Sequence, residues 1–166
     1  DKPLTFLCPS LSNIAMYAQV NDVAYRIMKS LIPGAYTFIL PTTKLVPKLV
    51  MSPKRKTTGI RVPDNSICTA LLESLGNPII STSAHVTEEE EDVIDSQNNS
   101  SQNPSQVELF DYFDKLVDVI LDNGIEPEYE VSTILDLTEI EPKLIRQGLG
   151  KLPAYRLLGY RFNERY

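Results

Sequence analysis

The sequence predicts an α/β domain built on a mixed sheet, and three observations carry that reading. Short runs of β-branched and aromatic residues alternate with segments whose apolar residues recur every three or four positions. Pro and Gly punctuate most junctions between them. The 166 residues are 42% hydrophobic, enough for one domain with a real core.

The elements follow in order. Leu4 to Cys8 reads as a short strand, and Leu11 to Tyr17 has helical spacing with Ser10 or Ser12 as N-cap. Asn21 or Asp22 opens a better helix, with Val23, Ala24, Ile27, Met28, Leu31 and Ile32 on one face, ended by Pro33-Gly34. Tyr36 to Leu40 is a strand closed by Pro41. Lys44 to Met51 is expected as a short helix interrupted by Pro47. Thr57 to Val62 is the next strand, stopped by Pro63-Asp64-Asn65. Ser66 to Leu75 carries Ile67, Leu71 and Leu75 at four-residue spacing, with Gly76 as C-cap. Pro78 to Ser83 is a strand that runs into polar residues, a common setting for a ligand-binding turn.

Residues 87–106, rich in Glu, Ser, Gln and Asn, bury almost nothing and read as an acidic, polar surface loop. Beyond it a helix is expected over Val107 to Asp114, with strands at Leu116 to Leu121, Ser132 to Leu137 and Leu144 to Gln147. The amphipathic tail, 151–166, packs either on the domain or on a partner, leaving 1–150 as the domain proper. No internal repeat is present.

Composition narrows the function classes. No apolar run approaches the roughly 18 residues a membrane span needs, and Asp1-Lys2-Pro3-Leu4 predicts no signal peptide. Cys8 and Cys68 sit in apolar segments and read as reduced, buried thiols, so an intracellular, cytoplasmic protein is expected and the sequons at Asn98 and Asn99 are incidental. The net charge of −6 is unevenly spread. Residues 1–85 hold nine Lys and Arg against four Asp and Glu, whereas 86–166 hold seven against eighteen. An anionic ligand therefore suits the first half. Neither a phosphate-cradling glycine loop nor a zinc-spaced cysteine pair occurs. The single histidine, His85, rules out two-histidine metal sites. Ser83 stands too close to it along one strand end for a triad.

Three cations stand out. Lys2, Arg61 and Arg146 each lie in or beside a β-like segment. An arginine between apolar strand neighbours is costly to bury unless its guanidinium meets an anion. Taken alone, either arginine reads equally as a structural ion pair or as a strand residue facing water. Hydroxyls cluster at Ser81-Thr82-Ser83 and Ser132-Thr133. Singly they are turn and cap residues. With the arginines they line a site for phosphate and carboxylate oxygens.

Six segments, in this order, resemble the YrdC/YciO domain family over about residues 1–150: Lys2-Pro3-Leu4, Pro33-Gly34-Ala35-Tyr36-Thr37, Gly59-Ile60-Arg61-Val62-Pro63, Ser81-Thr82-Ser83-Ala84-His85, Ser132-Thr133-Ile134-Leu135-Asp136 and Ile145-Arg146-Gln147-Gly148. The stretch Lys54 to Pro63 is most similar to the YciO branch. The resemblance implies a YrdC-like twisted mixed sheet with flanking helices around a large concave basic cavity. It implies a threonylcarbamoyl-AMP synthase-like nucleotidyltransferase, which joins threonine, bicarbonate and ATP into threonylcarbamoyl-AMP and pyrophosphate for tRNA modification at adenosine 37. Carried over by motif, Arg61 holds the amino-acid carboxylate with Ser81 and Ser132 nearby, and Lys2, Thr57, Ser83 and Arg146 contact the nucleotide. ATP is the co-substrate. Magnesium is expected on its phosphates rather than on protein ligands, and other tRNA-modification proteins are expected partners. No side chain is implied as acid, base or nucleophile, because the attacking group belongs to the substrate. The alternative is a YciO-type paralogue that binds double-stranded RNA or tRNA without synthase activity, using the basic residues Lys44, Lys48, Lys54, Arg55 and Lys56.

The sequence departs from the synthases in three places. Their Ser-x-Asn reads Ser83-Ala84-His85, and imidazole cannot copy an amide's donor and acceptor pair. Leu7 stands where synthases often carry a histidine. The family's first strands and Lys-x-Arg motif, expected ahead of Lys2, are not in this sequence.

Overall fold

The structure is a computed structural model that describes residues 4–84, 104–125 and 129–152, together with the backbone of 156–157, 160–161 and 163–164. The chain forms two compact units, 1–82 with 130–166 and 83–129.

The first unit is a seven-stranded mixed sheet with helices. Its elements are β1 (Thr5–Leu7), α1 (Leu11–Tyr17), α2 (Asp22–Leu31), β2 (Tyr36–Pro41), β3 (Thr57–Arg61), α3 (Ser66–Leu75), β4 (Ile79–Ser81), β5 (Thr133–Asp136), β6 (Lys143–Arg146), the two-residue pair β7 (Arg156–Leu157) and β8 (Tyr160–Arg161), and β9 (Asn163–Glu164). The sheet order is β4-β1-β3-β2-β5-β6-β9, and β7 pairs with β8 separately. Strands β1 and β3, β2 and β5, and β6 and β9 run parallel. The other neighbours in the sheet are antiparallel.

Local chemistry explains the helices. Ser10 caps α1, Asn21 caps α2 and Asn65 caps α3, each side chain accepting from a backbone N–H three residues on. Gly76 closes α3 in the left-handed conformation, at φ 68°, where a side chain would be strained. Ala24, Ile27, Met28 and Leu31 form the buried stripe of α2. They join Phe6 of β1, Ile60 of β3, Phe38 and Leu40 of β2, Leu135 of β5 and Leu144 of β6 in one core. That core occupies a single face of the sheet.

Several expectations give way here. Lys44 to Met51 is two successive turns rather than a helix, because Pro47 has no N–H to donate and Val46 and Val50 each drop singly into the core. In α3 the buried residue is Leu72, at 1% exposure, while Leu71 and Leu75 face solvent. Two four-residue stripes overlap on this helix, and the one through Cys68 and Leu72 turns inward. Cys68 itself is only half-buried, whereas Cys8 is fully buried. Of the acidic loop, 87–103 lies outside the described residues.

In the second unit α4 (Gln106–Phe113) starts at a complete capping box, with Ser105 and Glu108 each satisfying the other's backbone. Leu116 to Leu121 forms no strand there. Its apolar side chains Leu116, Val117, Val119 and Leu121 are exposed, and a β-prone run becomes a strand only where an edge is offered to it.

Candidate functional site

The candidate site lies on the sheet face opposite the core. Residues paired across a sheet share a face. The pairing Phe6–Ile60–Phe38–Leu135 is the core row, with exposed Ile80 beside Phe6 at the sheet edge. The rows beside it therefore point the other way. One row runs Ser81–Thr5–Gly59–Ile39. The other runs Ile79–Leu7–Arg61, and continuing the β2–β3 register by one pair sets Thr37 across from Arg61. Thr37 in turn pairs with Ile134, and Ile134 with Arg146. Arg61 and Arg146 thus stand in one lateral row, three strand spacings or roughly 14 Å apart.

Arg146 reaches that face through a bulge. Leu144 pairs with Leu135 in the core, and strict alternation would send Arg146, two residues later, to the same side. The register instead slips between Ile134 and Leu135, so that Arg146 pairs with Ile134 and Ile145 is the extra residue. A bulge of this kind re-aims a side chain. The Arg146 guanidinium donates from Nε and Nη2 to the Ser132 carbonyl at 3.1 and 2.9 Å, and from Nη2 to Ser132 Oγ at 3.4 Å. Ser132 Oγ lies 2.8 Å from Thr37 Oγ1. A Cβ on Gly59 would meet Thr37 Cγ2 at 3.4 Å and Thr5 Oγ1 at 3.2 Å, so glycine keeps the floor flat between two threonines. At the sheet edge Ser81 Oγ donates to the Thr5 carbonyl at 3.2 Å.

Arg61 is the electrostatic anomaly. Its Nε is buried and has no hydrogen-bond partner. Burial pulls the guanidinium below its ordinary pKa, against a smaller opposing effect of Cys68. Two ion pairs form among the described residues, Arg55–Asp136 and Lys143–Glu139, and neither includes Arg61. An unpaired, half-buried cation beside hydroxyls can take the oxygens of an anion.

The structure therefore brings Arg61, Ser132, Ser81 and Arg146 onto one face. Thr57 lies at the opposite end of β3, four residues and roughly 13 Å from Arg61, and is buried. Ser83 belongs to the second unit. Lys2 and His85 lie outside the described residues. Among the basic residues of the RNA alternative, Arg55 is committed to the fold. Its Nη2 holds buried Asp136 at 2.6 Å, and Asp136 also accepts from the Thr138 hydroxyl and backbone.

Sequence reasoning missed Thr37 and Thr5 as site residues and Thr133 as the lock behind them. Thr133 Oγ1, fully buried, donates to the Gly150 carbonyl at 2.7 Å and accepts from the Gly148 N–H at 2.9 Å. Gly148 packs so closely on Val131 and Ser132 that a Cβ would strike their backbone. The available signal was the alternation itself: Thr37 beside Phe38, and Ser132 beside Thr133.

Comparison with known proteins gives this face its context. The Sua5/YciO/YrdC family model, described as telomere recombination, matches residues 1–148. The chain belongs to the Sua5/YciO/YrdC family. An uncharacterized protein of Haemophilus influenzae is 41% identical over 151 residues, covering 91% of this chain and 68% of the relative. The crystal structure of Escherichia coli YciO superposes with a TM-score of 0.74 at 39% identity, covering 90% of this chain and 67% of that one. More distant is the threonylcarbamoyl-AMP synthase of Pyrococcus abyssi, 28% identical over 149 residues, covering 89% of this chain and 40% of the synthase. The crystal structure of P. abyssi Sua5 complexed with L-threonine gives a TM-score of 0.71 at 26% identity, covering 89% of this chain and 40% of that one. The Sua5/YciO/YrdC match spans both arginine segments and every hydroxyl residue of the candidate site. No helix among the described residues is long and apolar enough to cross a membrane.

Proposed function

We propose that this chain carries an adenylate-forming site of the threonylcarbamoyl-AMP synthase type, taking ATP, bicarbonate and an amino acid, which is threonine in the named synthases. The observation that supports it is Arg61, a guanidinium with a buried, unpartnered nitrogen on the same hydroxyl-lined face as Arg146. Arg61 holds the amino-acid carboxylate, with Ser132 and Ser81 close by, and Arg146 takes a phosphate oxygen once it turns from the Ser132 carbonyl. Lys2 and Ser83 are assigned to the nucleotide on motif order alone.

The chemistry asks little else of the protein. The amino group of the substrate captures carbon dioxide from bicarbonate, and the resulting carbamate oxygen attacks the α-phosphate. The bond from that phosphorus to the bridging oxygen breaks, and pyrophosphate leaves. The nucleophile comes from the substrate, so the side chains align the reactants and balance the growing negative charge. Among the described residues no three His, Cys, Asp or Glu side chains stand together to hold a metal. The buried carboxylate of Asp136 is occupied by Arg55 and Thr138. Magnesium enters on the ATP phosphates. The adenylate then serves tRNA modification in the cytoplasm, with other tRNA-modification proteins.

The test is pyrophosphate release. It is expected only when ATP, bicarbonate and an amino acid are all present, and Arg61→Ala abolishes it. Release that ignores bicarbonate defeats the proposal. So does RNA binding that falls steeply with salt in a chain with no nucleotide turnover.

A further inference from the structure

We infer that the loop between β2 and β3 is a docking surface for an anionic phospholipid membrane, with two leucines entering between lysines that meet the headgroups. The inference is independent of the chemistry proposed for the Arg61 face. Pro41 and Thr57, which bound the loop, pair with each other at the end of β3 remote from Arg61.

The loop carries Lys-Leu-Val twice, at 44–46 and 48–50, with Pro47 between. Both turns fold alike. The Val46 N–H donates to the Thr43 carbonyl at 3.4 Å and the Val50 N–H to the Pro47 carbonyl at 3.1 Å, and both valines are buried in the core. The lysine and leucine ahead of each valine stay outside, with Leu45 61% and Leu49 73% exposed. Met16, also exposed, adjoins the first turn, because the Thr43 hydroxyl donates to its carbonyl at 2.8 Å. Thr58 Oγ1 donates to the Val50 carbonyl at 3.1 Å and the Thr43 N–H to the Tyr17 carbonyl at 2.9 Å. The backbone that presents these side chains is therefore pinned to the sheet and to α1.

Charge selects the partner. No Asp or Glu occurs between Asp22 and Asp64. Lys44, Lys48, Lys54 and Lys56 are exposed and enter neither of the ion pairs among the described residues. Asp136 and Glu139, the acids whose charge acts on this loop at Arg55, are held by Arg55 and Lys143. Four cations without counter-charges suit a phosphate-bearing partner. Nucleic acid accounts for the lysines alone: residues 42–56 include no aromatic side chain to stack on a base, and leucine gains nothing from a phosphate backbone. A bilayer surface takes both, with anionic headgroups for the lysines and an apolar zone beneath for the leucines. Two such signals together hold a protein reversibly. The net charge of −6 repels the rest of the chain, so the molecule meets the membrane loop first.

The experiment is flotation of the full chain with vesicles of phosphatidylcholine, alone and with about one-third phosphatidylserine, alongside binding to an RNA duplex. The chain is expected to float with the anionic vesicles, to stay behind with the neutral ones, and to be released as salt rises. Lys44→Gln with Lys48→Gln weakens binding roughly thirtyfold. Leu45→Ser with Leu49→Ser weakens it roughly tenfold or more at unchanged charge. On the unaltered chain, anionic vesicles shield Lys44 and Lys48 from acetylation and leave Lys29 of α2 reactive. Equal flotation with both vesicles, or with neither, overturns the inference. So does a folded leucine variant that floats as before, because the loop is then a purely electrostatic surface. RNA bound through the loop, or a dimer that the leucine substitutions disperse, in place of vesicle binding gives the loop another occupant and overturns the inference too. Should either pair of substitutions unfold the chain, the shielding of Lys44 and Lys48 decides.

Discussion

Replacing Arg61 by methionine should make the protein more stable. The substitution keeps an unbranched apolar stem and removes a guanidinium whose Nε is buried without a partner. A buried donor left unsatisfied costs about 1–3 kcal/mol, and some packing is lost with the shorter side chain, so the net gain is about 1–2 kcal/mol. For a chain of this length 1 kcal/mol moves the thermal midpoint by about 2–4 °C, which makes the expected rise about 2–8 °C. Thermal melts followed by circular dichroism, in a buffer free of phosphate and carboxylates, measure it directly. The same melts with ATP and a saturating amino acid supply the second half of the test. A ligand at a hundred times its Kd stabilises by about 2.7 kcal/mol, and the increment that the amino acid adds over ATP alone should appear in the unaltered chain and vanish in Arg61→Met. A fall in midpoint of several degrees would refute the reasoning, because it would mean the guanidinium is satisfied within the fold and belongs to its scaffold.

Three further outcomes follow from other residues. Burial pushes the Asp136 carboxyl up, but hydrogen bonds from Thr138 and Arg55 together with the Arg55 charge outweigh it and hold the group below its usual range. A depressed carboxylate stabilises the fold above its unfolded pKa of about 3.9 and loses that contribution as pH falls through the folded value. Arg55→Met should therefore lower stability at pH 7 by about 1–2 kcal/mol, discounted because Arg55 is 52% exposed, and should flatten the acid limb of a pH series of urea melts. Thr133→Val keeps the shape but strands the Gly148 N–H, while the Gly150 carbonyl keeps only the Gln147 side-chain amide. A loss of about 1–3 kcal/mol is expected by denaturant titration, with Thr133→Ser recovering most of it. Burial pushes the Cys8 thiol up to about 12, so iodoacetamide at pH 8 should label Cys68 and spare Cys8 until the chain is unfolded, as peptide mass spectrometry will show.

What the sequence made legible was what neighbours decide. Asn21 before Asp22–Leu31 and Gly76 after Ser66–Leu75 are capping signals within a turn of the helices they bound, and both helices end where those residues place them. The expectations that failed depended on distant partners. Leu116 to Leu121 has strand composition but no strand, and the inward stripe of α3 could not be chosen between two equivalent spacings. The same limit explains the site. Arg61 and Arg146 were visible as cations among apolar residues, but the row that joins them through Thr37 and Ile134 exists only in the pairing of four strands. The Ile145 bulge was invisible for the same reason, since nothing in Leu144-Ile145-Arg146 tells which residue drops out of the pairing.

That bulge ties the stability of the strand to its chemistry. Were β6 to pair regularly with β5, Leu144 and Arg146 would share a face, and keeping the leucine in the core would drive the guanidinium in beside it. Burying an unpaired charge there costs far more than one irregular pair. The extra residue at Ile145, 45% exposed, absorbs the conflict. Directly after it, Thr133 fixes the chain by holding Gly148 and Gly150, while its neighbour Ser132 receives Arg146 on the opposite face. Alternate residues of β5 therefore carry separate duties, one set locking the register and the other presenting the site. A one-residue slip would exchange them, so the lock at Thr133 is what keeps the Arg146 guanidinium on the side where an anion can meet it.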